Sequence, residues 1–330
     1  MVFCLESARL PSPSVKFTFI PGHALLIRRF LNSNLMHVFH DDLLPLLATL
    51  RHLFRSGNPV DTVFFVDNYE KGAFWQFYEA VFRHFGVGCV ILKSEENVCF
   101  QKATFGLVNS TVWYQYGFNS PQGPVEPATF DPEIVFYFAQ VVRNYFALPQ
   151  EEQKNGNIVL LSRKQNRLIL NERELILGLT SLGYSVTVVS LESHSLRDLV
   201  GAISKADTLI AMHGSLLILG LFLSENATIL ELFPFAINPD NYTPYKTMAR
   251  RLKLRYASWR NEKEENSRTH PEYPPEWGGL EDLSVEKQKL VRSEKMVAPH
   301  LCCSDVSWLY RIYQDTIVDT GQVLALIKSF

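Results

Sequence analysis

Thr208-Leu209-Ile210-Ala211-Met212-His213-Gly214-Ser215-Leu216-Leu217-Ile218-Leu219-Gly220-Leu221-Phe222-Leu223 is the best candidate for a membrane span in the sequence, and it fails. A span needs about 20 consecutive apolar residues, whereas His213, Gly214, Ser215 and Gly220 interrupt this run. It reads instead as a buried strand ending at Met212, a tight turn at His213-Gly214, and a helix over Ser215 to Leu223. The same grammar recurs on both sides. Val63 to Val66, Cys89 to Leu92, Ile158 to Leu161, Ser185 to Val189 and Thr228 to Leu232 are short, mostly β-branched runs that read as buried strands. Between them lie stretches of helical period: Asn34 to Phe54, Gly72 to Phe85, Pro132 to Phe146, Glu172 to Leu182 and Ser195 to Ser204. Alternation of this kind predicts an α/β protein with parallel sheets and helices on both faces.

With 330 residues, 47% hydrophobic and 20% charged, the chain is long enough for roughly two cores of about 150 residues each. The polar stretch Pro149-Gln150-Glu151-Glu152-Gln153-Lys154-Asn155-Gly156 has no apolar residue and predicts a boundary between domains 1–150 and 151–330. Asn261 to Pro299 is a second polar, proline-bearing stretch, expected to be a surface excursion before a last helical segment from Asp315 to Phe330. Lysine plus arginine number 32 against 34 aspartates and glutamates, a net charge of −2 that gives no polycationic bias toward nucleic acid. No signal peptide is evident in Met1 to Pro13. Three glycosylation sequons begin at Asn109, Asn226 and Asn241. The five cysteines (Cys4, Cys89, Cys99, Cys302, Cys303) form no CxxC pair, so no zinc site is indicated, and Cys89 is expected to be a buried thiol.

In an open parallel sheet, ligands sit at the carboxyl ends of the strands, so the residues just after each strand carry the chemistry. After Leu161 come Ser162-Arg163-Lys164-Gln165-Asn166-Arg167, and guanidinium forks four residues apart can hold diphosphate oxygens. A solvated basic turn explains them equally well. Asn171 and Glu174 fit a helix start, with Asn171 as the capping side chain. At His213-Gly214-Ser215 the glycine lets a ligand approach the backbone, and the helix start offers free N–H groups to an anion. A plain turn with a satisfied core histidine is the alternative. Glu231 ends an otherwise apolar strand, where a carboxylate needs a partner: a ribose diol, or an ion pair with Lys246 or an arginine. On the first long helix His37 and Asp41 stand at i and i+4. A carboxylate beside an imidazole fixes its tautomer and strengthens it as a proton acceptor. Metal binding by His37, His40 and Asp41 is disfavoured, because three ligands on one helical turn surround an ion poorly. A hydrogen-bonded interface histidine remains the alternative.

Taken together, Asn34-x-x-His37-x-x-x-Asp41, Ser162-Arg163 through Arg167 to Asn171-Glu172, and Met212-His213-Gly214 through Glu231-Leu232 resemble glycosyltransferase family 61, in the family's order. Further stretches join the resemblance: Met36 to Pro45, Thr111 to Phe118, Gln165 to Glu172, Asn238 to Thr247 and His300-Leu301-Cys302-Cys303. It runs from about Pro21 to the C-terminus. It implies two Rossmann-like domains facing a cleft (the GT-B arrangement), the first of them incomplete and on the acceptor side, the second holding the nucleotide sugar. It implies inverting, metal-independent transfer of GlcNAc from UDP-GlcNAc to O-linked mannose on a glycoprotein such as dystroglycan, in the endoplasmic reticulum lumen. A shortened form is expected, without a membrane anchor and without the fibronectin module of longer relatives. Ser215 replaces the usual alanine after His-Gly, and Ser224-Glu225-Asn226-Ala227 replaces a Pro-x-Gly-Ala turn.

On this expectation His37 is the base, oriented by Asp41, with Asp41 itself the second choice. Arg163, Arg167 and the helix start at Gly214-Ser215 steady the leaving diphosphate. His213 belongs to the same donor-binding set, Glu231 holds the ribose, and Tyr245 and Lys246 line the donor pocket. No Asp-x-Asp motif of the metal-dependent type occurs. A UDP-binding module without catalysis, or an epimerase of nucleotide sugars, would share these features. Cys302 and Cys303 are adjacent, so at most one is expected to join a disulfide with Cys99 or another distant thiol.

Overall fold

The computed structural model describes residues 16–93, 97–117, 121–125, 130–149, 156–298 and 305–330. The first half runs β1 (Thr18–Ile27), α1 (Leu35–His37), a π-helical turn (Val38–Leu43), α2 (Leu44–Arg55), β2 (Thr62–Phe65), α3 (Trp75–Phe85), β3 (Gly88–Ile91) and β4 (Val98–Phe105). A small hairpin, β5 (Tyr114–Gln115) and β6 (Gly123–Pro124), precedes α4 (Pro132–Tyr145). Local chemistry sets these limits. Asp131 caps α4 by accepting from the Glu133 N–H, with Pro132 at the first helical position. Gly86 ends α3 in the left-handed conformation. The four strands are parallel in the order β3-β2-β1-β4.

The second half runs β7 (Asn157–Leu161), α5 (Glu172–Ser181), β8 (Ser185–Val189), α6 (Leu196–Ile203), β9 (Thr208–Met212), a 3-10 helix (Ser215–Phe222), β10 (Thr228–Phe233), α7 (Pro244–Arg251) and β11 (Arg255–Arg260). Then follow β12 (Ser267–Arg268), α8 (Val285–Ser293), α9 (Val306–Ile312), β13 (Asp315–Thr316) and α10 (Thr320–Lys328). The second sheet is parallel throughout, in the order β11-β10-β9-β7-β8. Its Ile158, Leu160, Ile210 and Leu230 face Leu175 and Leu179 of α5 and Val323 and Ile327 of α10. The opposite face, with Val159, Leu161, Leu209 and Ile229, meets α6, the 3-10 helix and α7. Helices therefore cover both faces, as the alternating sequence predicts.

The first sheet differs. Leu25, Ile27, Val63 and Phe65 pack under the helices, but Ala24, Leu26, Phe64 and Val66 form a cluster with strand neighbours that no helix among the described residues joins. The helix-covered core continues from one sheet to the other. At its centre the Phe39 ring meets Phe77 of α3, Phe138 of α4 and Phe222 of the 3-10 helix edge-on, at centroid distances of 4.8, 5.3 and 5.9 Å. Such aromatic pairs are worth about 0.5–1.5 kcal/mol each beyond burial. The predicted boundary falls largely on residues 150–155, outside the described residues, as do Cys4, Phe118, Cys302 and Cys303.

Several expectations need correction. Three strands have no clean apolar run: β1 is broken by Pro21-Gly22, where its register shifts, β4 alternates with polar residues, and β11 is bounded by arginines. Cys89 is exposed, because β3 is an edge strand; Cys99 is exposed too, and neither is in a disulfide among the described residues. Ser215 to Phe222 is 3-10 rather than α-helical; it is buried almost all round, and at Gly220 a Cβ would come within 2.7 Å of Ile229 Cδ1. Asn171 stands at the start of α5 but makes no side-chain cap; its amide reaches the main chain of Val318 instead. The polar stretch after Asn261 is not all surface, since His270, Leu280, Val291 and Val297 are buried.

Two buried acids tie the exit of β1 to its neighbours. Arg29 and Asp67 form a bidentate pair, with Nη2 2.6 Å from Oδ1 and Nε 3.0 Å from Oδ2, while the guanidinium also donates to the Tyr69 and Glu70 carbonyls. Arg29→Ala leaves Asp67 buried and unpaired, an expected loss of about 3–5 kcal/mol in chemical denaturation. Asp42 accepts from the Phe30 N–H at 3.1 Å and the Tyr78 hydroxyl at 2.7 Å. Burial, which outweighs both hydrogen bonds, raises its carboxyl to about 7. A carboxyl raised on folding binds its proton more readily in the folded state, so its stabilising effect is full below its unfolded pKa and is lost as pH rises through 7. Measured against Asp42→Asn, the unsubstituted protein should lose up to a few kcal/mol of stability between about pH 4 and 7, at about 1.4 kcal/mol per unit. A difference that does not vary with pH would remove Asp42 from that role.

Candidate active site

Strand order locates the site. In the second sheet β7 and β9 are neighbours, yet the chain leaves β7 toward β8 and leaves β9 toward β10 on the other side. Connections that diverge in this way leave a crevice at the carboxyl ends of the two strands. Arg163 and Arg167 follow β7, and His213, Gly214 and Ser215 follow β9. In the first sheet β1 stands between β2 and β4, and the chain beyond its carboxyl end leads to Asn34 and His37. A cavity of about 210 Å³ joins these places: His37, Tyr114 and Tyr116 line it from the first half, and Arg167, His213, Gly214, Ser215 and Tyr245 from the second.

Asn34 caps the start of α1 by accepting from the Met36 N–H at 3.0 Å. The wider π-helical turn that follows sets three polar side chains together. His37 Nδ1 lies 2.6 Å from Asp41 Oδ2, and His40 Nδ1 lies 2.7 Å from Asp41 Oδ1. The Trp113 N–H donates to His40 Nε2 at 3.2 Å, which leaves the His40 proton on Nδ1 for Asp41. Burial works to raise the Asp41 carboxyl, but hydrogen bonds from both imidazoles and their charge outweigh it and hold it below the usual carboxylate range. His37 packs between Phe30 and Tyr116, at 4.7 Å from each ring centroid, and faces the cavity. Among the described residues no group of three or more His, Cys, Asp or Glu side chains, this one included, is arranged to hold a metal ion.

Across the cavity the two arginines converge on Gly214. A Cβ there would stand 2.5 Å from Arg167 Nη1 and 3.3 Å from Arg163 Nη1, so only glycine permits the approach. Arg167 donates to the His213 carbonyl at 3.0 Å and stacks over the Tyr313 ring at 4.6 Å. Arg163 donates to the carbonyl and side-chain oxygens of Asn166. Both are half-buried, and among the described residues neither forms an ion pair with a carboxylate. Burial, reinforced by the charge of Arg167, pushes the Arg163 guanidinium down to about 9, and burial lowers Arg167 as well. Two like charges held this closely call for an anion between them.

Two sequence-derived assignments fail on geometry. Glu231 is 0% exposed, and its oxygens are taken by His213 Nδ1 at 2.5 Å and the Tyr256 hydroxyl at 2.6 Å. Fully buried, it is closed to a ribose and forms no ion pair with Lys246 or an arginine among the described residues. Its charge orients His213, whose ring also stacks on Phe233 at 4.9 Å. Lys246 points away from the site; it pairs with Asp240 at 3.1 Å beside a separate cavity, because it follows Tyr245 on α7 and takes the opposite face. Tyr245 does line the site, and burial raises its hydroxyl strongly. Asn109 and Asn226 are exposed and Asn241 is half-buried. Among the residues that sequence reasoning missed are three aromatics and a carboxylate: Tyr114, Trp308, Tyr313 and Glu276 line the cavity, and no local spacing marks the last three.

Comparison with known proteins gives this geometry a family. Over 329 residues, 97% of this chain, the sequence is 39% identical to protein O-linked-mannose beta-1,4-N-acetylglucosaminyltransferase 2 of Xenopus laevis and 41% identical to the protein of that name in Homo sapiens. The chain spans 57% of the length of these curated relatives. The crystal structure of a glycosyl transferase family 9 protein from Veillonella parvula matches 93% of this chain and 96% of its own, at 9% identity and a TM-score of 0.35, too remote to bear on the fold. The model of glycosyltransferase 61 matches residues 35–230, which include His37, Asp41, both arginines, His213 and Gly214. With more than half of its length inside that match, the chain belongs to glycosyltransferase family 61.

Proposed function

We propose that the chain is an inverting glycosyltransferase of GT-B arrangement, moving N-acetylglucosamine from UDP-GlcNAc to an O-linked mannose of a glycoprotein. The observation that carries this reading is the pair of arginines at Gly214, which form no ion pair among the described residues, with Arg167 facing His37, the partner of Asp41, across one cavity. The names of the relatives supply the sugar and the acceptor. The second half binds the donor at its strand ends, and the first half presents the acceptor.

In the reaction, His37 accepts the proton of the mannose hydroxyl. The hydroxyl oxygen forms the new bond to C1 of the sugar as the C1–O bond to the diphosphate breaks, and UDP leaves with the electron pair. The His37 Nδ1 proton is directed to Asp41, which leaves Nε2 as the acceptor. Asp41 is held below the usual carboxylate range and is the weaker base of the two, so its work is to orient the imidazole. The charge that grows on the diphosphate meets Arg163, Arg167 and the N–H groups at Gly214-Ser215, and such donors are commonly worth on the order of a hundredfold each in rate. On this scheme the protein supplies the positive charge and no metal is needed. The exposed sequon asparagines Asn109 and Asn226 are consistent with work in the lumen of the endoplasmic reticulum. Among the described residues no helix is long and apolar enough to cross a membrane.

Calorimetric titration followed by a transfer assay on a mannosyl peptide tests the reading. UDP should bind equally well in EDTA and in manganese, and GlcNAc should pass to the peptide; binding only with manganese refutes the metal-free scheme, and conversion of UDP-GlcNAc without acceptor marks an epimerase. His37→Ala should lower transfer by about a hundredfold or more, as loss of a general base does, with UDP affinity nearly unchanged. Asp41→Asn should cost less. If Asp41→Asn is the more severe change, the base is the carboxylate.

A further inference from the structure

Arg167 is one of few non-glycine residues here with positive φ, at +56°. Left-handed backbone is unfavourable for a side chain of this size and persists only where the surroundings over-determine it. The surroundings come from the far end of the chain. Leu168, the next residue, gives its N–H to Asp315 Oδ1 at 2.9 Å and receives the Thr316 N–H on its carbonyl at 2.9 Å. The Leu170 N–H then bonds to the Thr316 carbonyl, and Asn171 exchanges two hydrogen bonds of 2.8 Å with the main chain of Val318. Residues 315–318 are thus laced along 168–171. Behind the lacing, buried His270 bonds through Nε2 to Asp315 Oδ2 at 2.8 Å and stacks on Tyr273 at 4.3 Å. The Tyr273 hydroxyl donates to the Gln165 carbonyl at 2.8 Å, inside the arginine loop itself. Tyr313, just before the strap, lies under the Arg167 guanidinium.

We propose that this C-terminal strap, Asp315 to Val318 braced by His270 and Tyr273, is a positioning device that holds Arg163 and Arg167 against Gly214 so that both grip a diphosphate. The inference rests on the reading of this site as one for a nucleoside diphosphate. The strap lies beyond residues 35–230, the stretch that matches the family, so the grip of the family's arginines depends on chain outside it. Asp315 does so by a hydrogen bond to the backbone, and its charge is not what the loop requires.

The test is calorimetry of the whole chain with UDP, UMP and uridine. Asp315→Ala should weaken UDP by about tenfold or more while uridine changes by less than about twofold, since the loss falls on the aligned phosphate contacts. Asp315→Asn can still accept the Leu168 N–H and should restore UDP binding to within about threefold. Tyr273→Phe removes one hydroxyl from a half-buried side chain, leaves the fold intact, and should weaken UDP more than UMP and UMP more than uridine; it decides the matter if Asp315→Ala does not fold. Equal losses for all three ligands, or UDP binding by Tyr273→Phe that matches the unsubstituted chain, overturn the strap's role while UDP binding itself stands. If the unsubstituted chain binds none of the three, the diphosphate reading falls and the inference falls with it.

Discussion

The missing side chain at Gly214 is the constraint on which the rest of the site depends. A single methyl there would occupy the space of Arg167 Nη1. Because it is absent, two guanidinium groups, the His213 carbonyl and the first turn of the 3-10 helix meet at the carboxyl ends of β7 and β9. Burial lowers both guanidinium groups, and at Arg163 the charge of Arg167 adds to it. The folded protein holds that charge in place through Asn166, the Tyr313 face and the left-handed backbone at Arg167, so an arriving anion meets donors already aimed.

The opposite wall is built by different means. A π-helical turn at Val38–Leu43 brings His37 and His40 onto the two oxygens of Asp41, and the main chain of Trp113 orients His40. The Trp113 indole also donates to the Pro244 carbonyl at 3.0 Å, and the Thr243 N–H reaches the Tyr114 hydroxyl at 3.3 Å. Those two bonds fasten the residues beside His37 to the start of the helix that carries Tyr245. Below them the Phe39, Phe77, Phe138 and Phe222 rings interlock, so the walls share one apolar floor.

Much of this was legible in the sequence because it obeys short-range rules. Six strands announced themselves as apolar runs, the spacing of His37 and Asp41 placed them on one helical face, and His213-Gly214 stood where a strand must turn. What escaped depends on contacts between distant residues. Glu231 looked like a ribose ligand because a carboxylate at a strand end resembles one; only the fold puts His213 and Tyr256 on its two oxygens. Asn171 looked like a cap because its neighbours are those of a helix start, yet Val318, 147 residues away, competes for its amide and wins. Lys246 was placed by adjacency to Tyr245, and neighbours on a helix do not share a face. Trp308 and Tyr313 carry no local signature at all.

The lacing of 315–318 onto 168–171 also sets an order of events during synthesis. The core around Phe39 draws on α1 to α4 and on the 3-10 helix, all of which have been made by Phe222. The arginine loop has left the ribosome by then as well, but Leu168 has no partner for its backbone until Asp315 and Thr316 emerge nearly 150 residues later. Until that moment the loop lacks the lacing that braces Arg167 in its left-handed turn. At about 5–20 residues per second that interval lasts about 7–30 seconds, and over its last part, once β11 has been made, a nascent chain with the strands of both sheets complete still lacks a finished anion site.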